Sequence, residues 1–188
     1  LYYLSGDKFW AVREQDGLSD NAVRSLLADW EGNLWVGTRS SGLNRVAREQ
    51  LTVFGASDGL TNEFVRAVAE AADTPPGDGR LWVATIGGGM YRGQPGRFEP
   101  VPSVVGSVTY PFFESVVTTR DGSLWWGGAG ALFQWQDGKE ATNYTRFTAP
   151  WLADAGVTAL REDQNEGLWI GNSAPDAATV AVKLPDTT

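Results

Sequence analysis

Short apolar runs of four to seven residues follow one another along the whole chain. β-Branched and aromatic residues dominate these runs, and Gly, Pro, Asn and Asp interrupt them. Runs of this length and composition predict β-strands, because an amphipathic helix needs a 3.6-residue period sustained over about a dozen residues. The pattern therefore predicts an all-β protein and argues against a helical solenoid.

A Leu-Trp pair recurs four times, and the four tryptophans are separated by 47, 43 and 44 residues. In every copy an acidic residue and a Gly precede the pair, which predicts a turn that leads into a strand. We expect each Trp to pack in the core rather than to stack on a sugar, and each Gly to shape the turn. The repeated positions are Trp35, Trp82, Trp125 and Trp169, with Gly32, Gly79, Gly122 and Gly167.

Further apolar runs lie before and after each Leu-Trp strand. In the first complete repeat they predict strands near residues 22–28, 33–38, 42–46 and 51–54. A small residue within the first of these strands, Ser25, predicts close packing there. Four short strands in every 43 to 47 residues are typical of β-propeller blades. We therefore predict a β-propeller built from four-stranded antiparallel blades.

The predicted blades do not start and stop with the chain. The units are expected near residues 1–16, 17–56, 57–101, 102–148 and 149–188. The first and last units are partial, so a single propeller region over 1–188 would contain three complete and two partial blades. An isolated arc would leave unpaired strand edges, so we expect an arc of a larger ring. Closure of a four-bladed ring by the two ends is the alternative.

The first two repeats resemble a known family. The segment from Asp16 to Arg45 reads DGLSDNAVRSLLADWEGNLWVGTRSSGLNR, and a second copy begins DGLTNEFVR at Asp58. Both are similar to the two-component regulator propeller repeat. The similarity is weaker in the third and fourth units, where PFF and DAGV replace the Gly-Leu-x-x-Asn opening.

This resemblance implies a sensor. Such propellers form the extracytoplasmic region of bacterial membrane receptors, followed by a small β-sandwich, a transmembrane helix and a histidine kinase or other output. Members of the wider group often respond to oligosaccharides. We therefore expect non-catalytic binding of a small polar ligand or oligosaccharide, on the periplasmic or extracellular side of a bacterial inner-membrane receptor. Formation of a homodimer is left open.

The composition removes several other functions. The 188 residues include no His and no Cys, which excludes Ser/His/Asp and Cys/His catalysis, imidazole or thiolate metal sites, and disulfides. Fifteen basic and 23 acidic side chains give a formal net charge of −8, which argues against nucleic acid or an anionic membrane surface as a partner. We expect no cofactor and no metal, and the chain contains no membrane-spanning apolar stretch.

Polar and aromatic residues in particular loops are the candidates for ligand binding. The loops before the first strand and between the second and third strands of a blade should reach the same face, around the central funnel. The innermost strands add polar residues at matching positions, with Glu114 and Thr158 in the third and fourth blades. The candidates are Asn21, Arg39, Asn62, Tyr110, Trp151, Arg24 and Arg66.

Three other interpretations are weighed against this one. A protein interaction scaffold would present a large exposed apolar patch. A carbohydrate-active enzyme would need two carboxylates about 5–10 Å apart in the funnel, and no such pair stands out in the sequence. Calcium binding by the turn residues Asp29, Asp121 and Asp163 would fall short of the six to eight oxygens that this ion takes.

Overall fold

The structure is a computed structural model that describes residues 1–47, 50–72, 79–101, 104–105, 108–109, 112–136, 141–145, 148–152, 156–173 and 180–182. These residues form three four-stranded antiparallel sheets, one three-stranded sheet and two small hairpins. The described residues include no helix long and apolar enough to cross a membrane. The predicted all-β propeller architecture is confirmed.

The strands follow one another in chain order, and within each sheet consecutive strands are neighbours. An N-terminal hairpin comprises β1 (Tyr2–Ser5) and β2 (Lys8–Ala11). The first complete blade comprises β3 (Val23–Ala28), β4 (Leu34–Thr38), β5 (Leu43–Ala47) and β6 (Gln50–Phe54). These bounds agree with the predicted strands to within one residue.

The remaining sheets repeat this arrangement. The second blade comprises β7 (Val65–Glu70), β8 (Leu81–Thr85), β9 (Gly89–Gln94) and β10 (Arg97–Val101). A small hairpin that the sequence did not predict follows, with β11 (Val104–Val105) and β12 (Val108–Thr109). The third blade comprises β13 (Phe113–Thr118), β14 (Leu124–Gly128), β15 (Ala131–Trp135) and β16 (Thr142–Thr145). The fourth sheet comprises β17 (Val157–Glu162), β18 (Leu168–Asn172) and β19 (Val180–Val182).

Neighbouring blades pack through a small residue on one side and a large one on the other. The innermost strands β3, β7, β13 and β17 lie side by side, and each contacts the second strand of the preceding blade where one is described. A Cβ atom on Gly37 would lie 2.6 Å from Val65, and one on Gly127 would lie 2.3 Å from Val157. Gly permits this approach in these two blades, and Ala84 takes the same position in the second blade, so a small residue two positions after the Trp lets neighbouring blades approach closely.

The repeated tryptophans are buried in three blades and half-exposed in the fourth. Trp35, Trp82 and Trp125 are 1%, 4% and 5% exposed, as predicted for core positions. Trp169 is 47% exposed. In the first three blades the innermost strand of the following blade packs against the side of the sheet that carries the Trp. The described residues include no such strand after the fourth sheet.

The turn before the Trp strand has the same backbone in each blade but not the same Gly. Gly32, Gly79 and Gly122 have left-handed φ angles of 82°, 74° and 82°, two residues before the Leu of each Leu-Trp pair. In the fourth blade this conformation falls on Glu166, with φ 63°, and not on the repeated Gly167. Gly167 instead donates its backbone N–H to Asp163 at 2.9 Å, as Asn33 does to Asp29. The repeat therefore preserves the turn geometry more closely than its sequence.

Candidate ligand-binding site at the funnel face

Every innermost strand has a β-bulge at the same position. In the first blade Val23 pairs with Thr38 and Ser25 pairs with Gly37, so Arg24 is the extra residue. The same break occurs at Arg66, Glu114 and Thr158 in the next three blades. A bulge removes one residue from the ladder and re-aims its side chain. The candidates on the innermost strands, Arg24 and Arg66, therefore occupy one structurally repeated position, which we call the bulge ring together with Glu114 and Thr158.

Two members of the bulge ring form an ion pair between neighbouring blades. Arg66 Nη2 donates to Glu114 Oε2 at 3.2 Å, and the two side chains are 33% and 30% exposed. A partly exposed pair of this kind contributes only about 0–1 kcal/mol to folding. Arg24 is exposed and has no polar partner among the described residues. The bulge ring thus contains an Arg24 guanidinium without a partner among the described residues and an ion pair that contributes little to stability.

The Asn21 side chain lies on the funnel side and contacts the chain that crosses between blades. The Asn21 Oδ1 accepts a hydrogen bond from the Glu14 backbone N–H at 3.2 Å, and the Asn21 backbone N–H donates to Glu14 Oε1 at 3.0 Å. Glu63 takes this position in the second blade and accepts from the Ala56 N–H at 3.1 Å. This position therefore stabilises the crossover turn, and the Asn21 amide nitrogen has no hydrogen-bond partner among the described residues.

Asn62 connects two loops of the second blade. Its Oδ1 accepts from the Phe64 N–H at 3.0 Å and its Nδ2 donates to the Ile86 carbonyl at 3.1 Å. Asp20 takes the same place in the first blade, where it accepts from the Ser40 hydroxyl and the Ala22 N–H. These hydrogen bonds, with a smaller contribution from the charge of Arg39, hold the pKa of Asp20 below its usual 3.8. The position ties the loop before the innermost strand to the loop between the second and third strands.

The other loop candidates differ in how much the structure says of them. Arg39 is exposed, its backbone N–H donates to the Ala22 carbonyl at 3.0 Å, and its guanidinium has no hydrogen-bond partner among the described residues. Tyr110 lies outside the described residues. Trp151 lies in the 3-10 turn Pro150–Leu152, but its side chain is outside the described part of the chain.

A buried Leu lies in each described segment that leads from one sheet to the innermost strand of the next. Leu18, Leu60 and Leu152 are 2%, 0% and 0% exposed, and each lies five residues before its innermost strand. The fourth unit lacks the Gly-Leu opening, so the sequence motif did not reveal Leu152. The spacing of five residues to Val157 is the signal that identifies it. By this spacing Trp151 aligns with Gly17 and Gly59, but Trp151 lies within its 3-10 turn whereas the two glycines follow theirs.

Three exposed apolar residues on the funnel side escaped the sequence analysis. Phe64, Ile86 and Phe112 are 49%, 37% and 50% exposed. Phe64 and Phe112 directly precede the innermost strands β7 and β13, and Ile86 directly follows β8. The signal that marks them is their place in the repeat, because each lies next to the end of a strand at the level of the bulge ring. We call these three residues the apolar rim.

The opposite end of the blades has its polar groups bonded to one another. Asp29 accepts from the Asn33 side chain and from the Trp35 indole, both at 2.8 Å. Partial burial opposes ionisation of Asp29, but these hydrogen bonds and two backbone N–H groups outweigh it and lower its pKa. Asp163 makes the same indole contact with Trp169 at 2.8 Å, which lowers its pKa also. The described residues form no group of three or more potential metal ligands, at these turns or elsewhere.

Comparison with known proteins identifies the repeat and supports the fold. Residues 17–40 match the two component regulator propeller family, which confirms the resemblance of the first repeat. The matched segment begins in the loop before β3 and ends just after β4, so it contains the first bulge, the Asp–Gly turn and the Trp strand. A search of curated proteins found no match.

Solved structures with a similar fold include two extracellular domains from B. thetaiotaomicron. One belongs to BT4673, assigned as a hybrid two component system, with 23% identity and a TM-score of 0.67 over 88% of this chain. The other belongs to BT3049, similarly assigned, with 16% identity and a TM-score of 0.65 over 94% of this chain. The WD40 β-propeller domain of Doa1 is 14% identical, with a TM-score of 0.59 over 82% of this chain and 49% of Doa1. This chain spans only 21% of the BT4673 structure and 27% of the BT3049 structure.

Proposed function

We propose that this chain, which carries a two component regulator propeller repeat, is the ligand-sensing propeller of a bacterial signalling receptor. In this proposal the chain lies on the periplasmic or extracellular side of the inner membrane and catalyses no reaction. Its blades form an arc of a larger propeller ring. The similarity to extracellular domains assigned to two-component systems supports this placement.

The observation that carries the proposal is the bulge ring. A bulge at the same position in four consecutive innermost strands presents Arg24, Arg66, Glu114 and Thr158 on one face. Bulges are enriched beside functional sites because they re-aim side chains out of the ladder. Arg39 and the Asn21 amide lie in the loops above this ring and add donors. The ligand that suits such a surface is a small polar molecule or an oligosaccharide, which accepts hydrogen bonds at many points.

Ligand-induced stabilisation tests the proposal. The thermal unfolding midpoint would be measured with hexasaccharides of neutral and acidic sugars, because a ligand present at 100 times its Kd stabilises a protein by about 2.7 kcal/mol. We expect at least one hexasaccharide to raise the midpoint of the wild-type protein, and the double variant Arg24→Gln/Arg39→Gln to lose most of that shift.

A matched control separates binding from loss of charge. Arg97 lies on an outermost strand and pairs with Glu99, and Arg120 lies at the opposite end of its blade and pairs with Glu162. The double variant Arg97→Gln/Arg120→Gln removes the same charge and should keep the ligand-induced shift. An equal loss in both double variants, or no shift with any hexasaccharide, would refute the proposed function.

One observation favours the scaffold as a second candidate function. In the N-terminal hairpin, Tyr2, Tyr3, Leu4, Phe9 and Trp10 are all more than half exposed. Tyr2, Leu4 and Phe9 lie on one face of the hairpin, and Tyr3 pairs with Trp10 on the other. Exposed apolar faces of this kind are typical of a protein contact. If the hairpin docks a partner or a second copy, the protein should associate with increasing concentration in analytical ultracentrifugation, and Phe9→Ser/Trp10→Ser should abolish that association.

A further inference from the structure

The geometry points to the apolar rim, Phe64, Ile86 and Phe112, as a platform that stacks against the ring face of an uncharged saccharide. This inference rests on the proposed function and assigns it a position between the second and third blades and a ligand class. The polar candidates predicted from the sequence would then contact the edges of a ring whose face lies on these side chains.

The backbone of the platform is fixed on both sides. The Ile86 N–H donates to the Phe64 carbonyl at 3.1 Å, and Ile86 forms an antiparallel β-bridge with Phe112. Asn62 adds two further hydrogen bonds, to the Phe64 N–H and the Ile86 carbonyl. The three apolar side chains therefore project from one hydrogen-bonded segment that joins two blades, and a ligand would meet a preorganised surface.

The fold does not require large side chains at these positions. The N–H of Arg39 donates to Ala22, and the N–H of Ser173 donates to Gly156, each at 3.0 Å. These are the equivalents of the Ile86–Phe64 hydrogen bond in the first and fourth blades. The same backbone contact thus forms with Ala or Gly in place of Phe. The fold therefore does not require a Phe at position 64 or 112, and both phenylalanines lie where the second and third blades meet.

Polar groups of both signs border the platform. Val65 and Phe113 are 1% exposed, and each lies in the chain between a Phe of the apolar rim and the bulged residue of its strand. Arg66 lies two residues after Phe64, and Glu114 lies two residues after Phe112. Arg66 and Glu114 form the ion pair between the two blades. Aromatic faces with adjacent hydrogen-bonding groups suit a pyranose ring, whose C–H face is apolar and whose edge carries hydroxyls.

The local charge selects an uncharged ligand. The chain as a whole has a formal net charge of −8. At the platform, however, the Arg66 guanidinium pairs with the Glu114 carboxylate. This pair offers both hydrogen-bond donors and an acceptor beside the rim, and its two charges balance each other. A carboxylated or sulfated ligand on the rim would have to break the Arg66–Glu114 pair to gain a cation, whereas hydroxyl groups can bond to both partners.

Binding of defined probes tests the platform. Isothermal titration and saturation-transfer NMR would use cellohexaose, xylohexaose and mannohexaose as neutral probes, hexagalacturonate as an acidic probe, and sorbitol as a polyol without a ring face. We expect a neutral hexasaccharide to bind the wild-type protein and sorbitol not to bind. Phe64→Ala and Phe112→Ala should each weaken that binding by about tenfold, as loss of a central aromatic contact commonly does.

The variants are chosen so that unfolding cannot explain the result. Ala22 and Gly156 occupy the equivalent positions in other blades, so both Phe→Ala variants should unfold at nearly the wild-type temperature. Trp30 is 86% exposed in the turn at the opposite end of the first blade, and Trp30→Ala is the matched control that should leave binding unchanged.

Each remaining outcome overturns the platform. Neutral binding that survives both Phe→Ala variants, but not Arg24→Gln/Arg39→Gln, would refute the platform and leave the proposed function intact. Binding of hexagalacturonate alone would refute the ligand class. Absence of binding by every hexasaccharide would refute both the platform and the proposed function. Concentration-dependent self-association that disappears in Phe64→Ala and Phe112→Ala, without saccharide binding, would identify the rim as a protein contact instead.

Discussion

The two ends of the blades contain similar residue types, but their side chains are bonded within the fold at one end and exposed at the other. At the turn end, the Asp29 carboxylate accepts hydrogen bonds from Asn33 and from the Trp35 indole, so its oxygens stabilise the local structure. At the funnel end, Arg24 and Arg39 are exposed without a polar partner among the described residues, and Phe64 is half-exposed. Charged and aromatic residues occur at both ends, so composition alone does not distinguish them.

The difference lies in whether the side chain is needed to close the local structure. In the turn before each Trp strand, a carboxylate accepts from a backbone N–H, with the donors Asn33, Ser123 and Gly167 in three blades. At the funnel end, the equivalent backbone hydrogen bond before β3, β7 and β17 is accepted by Ala22, Phe64 and Gly156. Residues that vary while the backbone contact stays the same are free to serve binding.

Trp35→Ala should have the largest effect and should act on stability alone. Trp35 is 1% exposed and packs against Phe54 and the core of the first blade. Truncation of a buried Trp typically costs about 3–5 kcal/mol, which urea unfolding would measure. Saccharide affinity per folded molecule should be unchanged, and a selective loss of affinity would show that the turn end takes part in binding.

Asp29→Ala and Asp163→Ala form a matched pair within the turn end. Asp29→Ala leaves the N–H of the buried Trp35 without a partner, and an unsatisfied buried donor costs about 1–3 kcal/mol. Asp163→Ala should cost less, because Trp169 is 47% exposed and water can replace the carboxylate. Urea midpoints of the two variants would compare them, and equal losses would contradict the role assigned to burial.

The Asp29 contribution should depend on pH in one direction. The pKa of Asp29 is below its usual 3.8 in the folded protein, so its contribution is fully present above about pH 4 and decreases as the pH falls through the folded pKa. The difference in unfolding free energy between wild type and Asp29→Ala should therefore be constant from pH 5 to 7 and shrink towards pH 2. A difference that grew on acidification would contradict this sign.

The Arg66–Glu114 pair should contribute least to stability. A double-mutant cycle with Arg66→Ala and Glu114→Ala should give a coupling of about 0.2–1 kcal/mol, because both side chains are about one-third exposed. The same variants should weaken saccharide binding, since the pair borders the apolar rim. A coupling of several kcal/mol, without an effect on binding, would place the bulge ring among the structural elements.

The sequence predicted the fold better than the site, for identifiable reasons. The Trp strands and their turns are repeated because every blade packs against its neighbour, and repetition is visible within one sequence. Ser25 was predicted to lie where packing is close, and the structure places it opposite Gly37, next to Val65. Trp169 was predicted to pack in the core, and this is wrong because it is 47% exposed: exposure depends on which blade covers the sheet and not on the repeat itself.

The site was less accessible to the sequence because its residues are those that differ between blades. Arg66 was assigned to the innermost strand, but its pairing with Glu114 joins residues 48 positions apart in neighbouring blades. Asn62 was selected as polar, yet its amide is bonded to two backbone groups. Phe64 and Phe112 were overlooked because an isolated Phe in a loop carries no signal until its equivalents, Ala22 and Gly156, are aligned with it.

Hydrogen–deuterium exchange with and without a bound hexasaccharide tests the distinction between the two ends most directly. If the funnel end is the functional face, the ligand should slow exchange in segments 20–24, 62–66 and 112–115. Exchange in the turn segments 29–33, 119–123 and 163–167 should be unchanged. Protection confined to the turn segments, with none at the funnel end, would contradict the account.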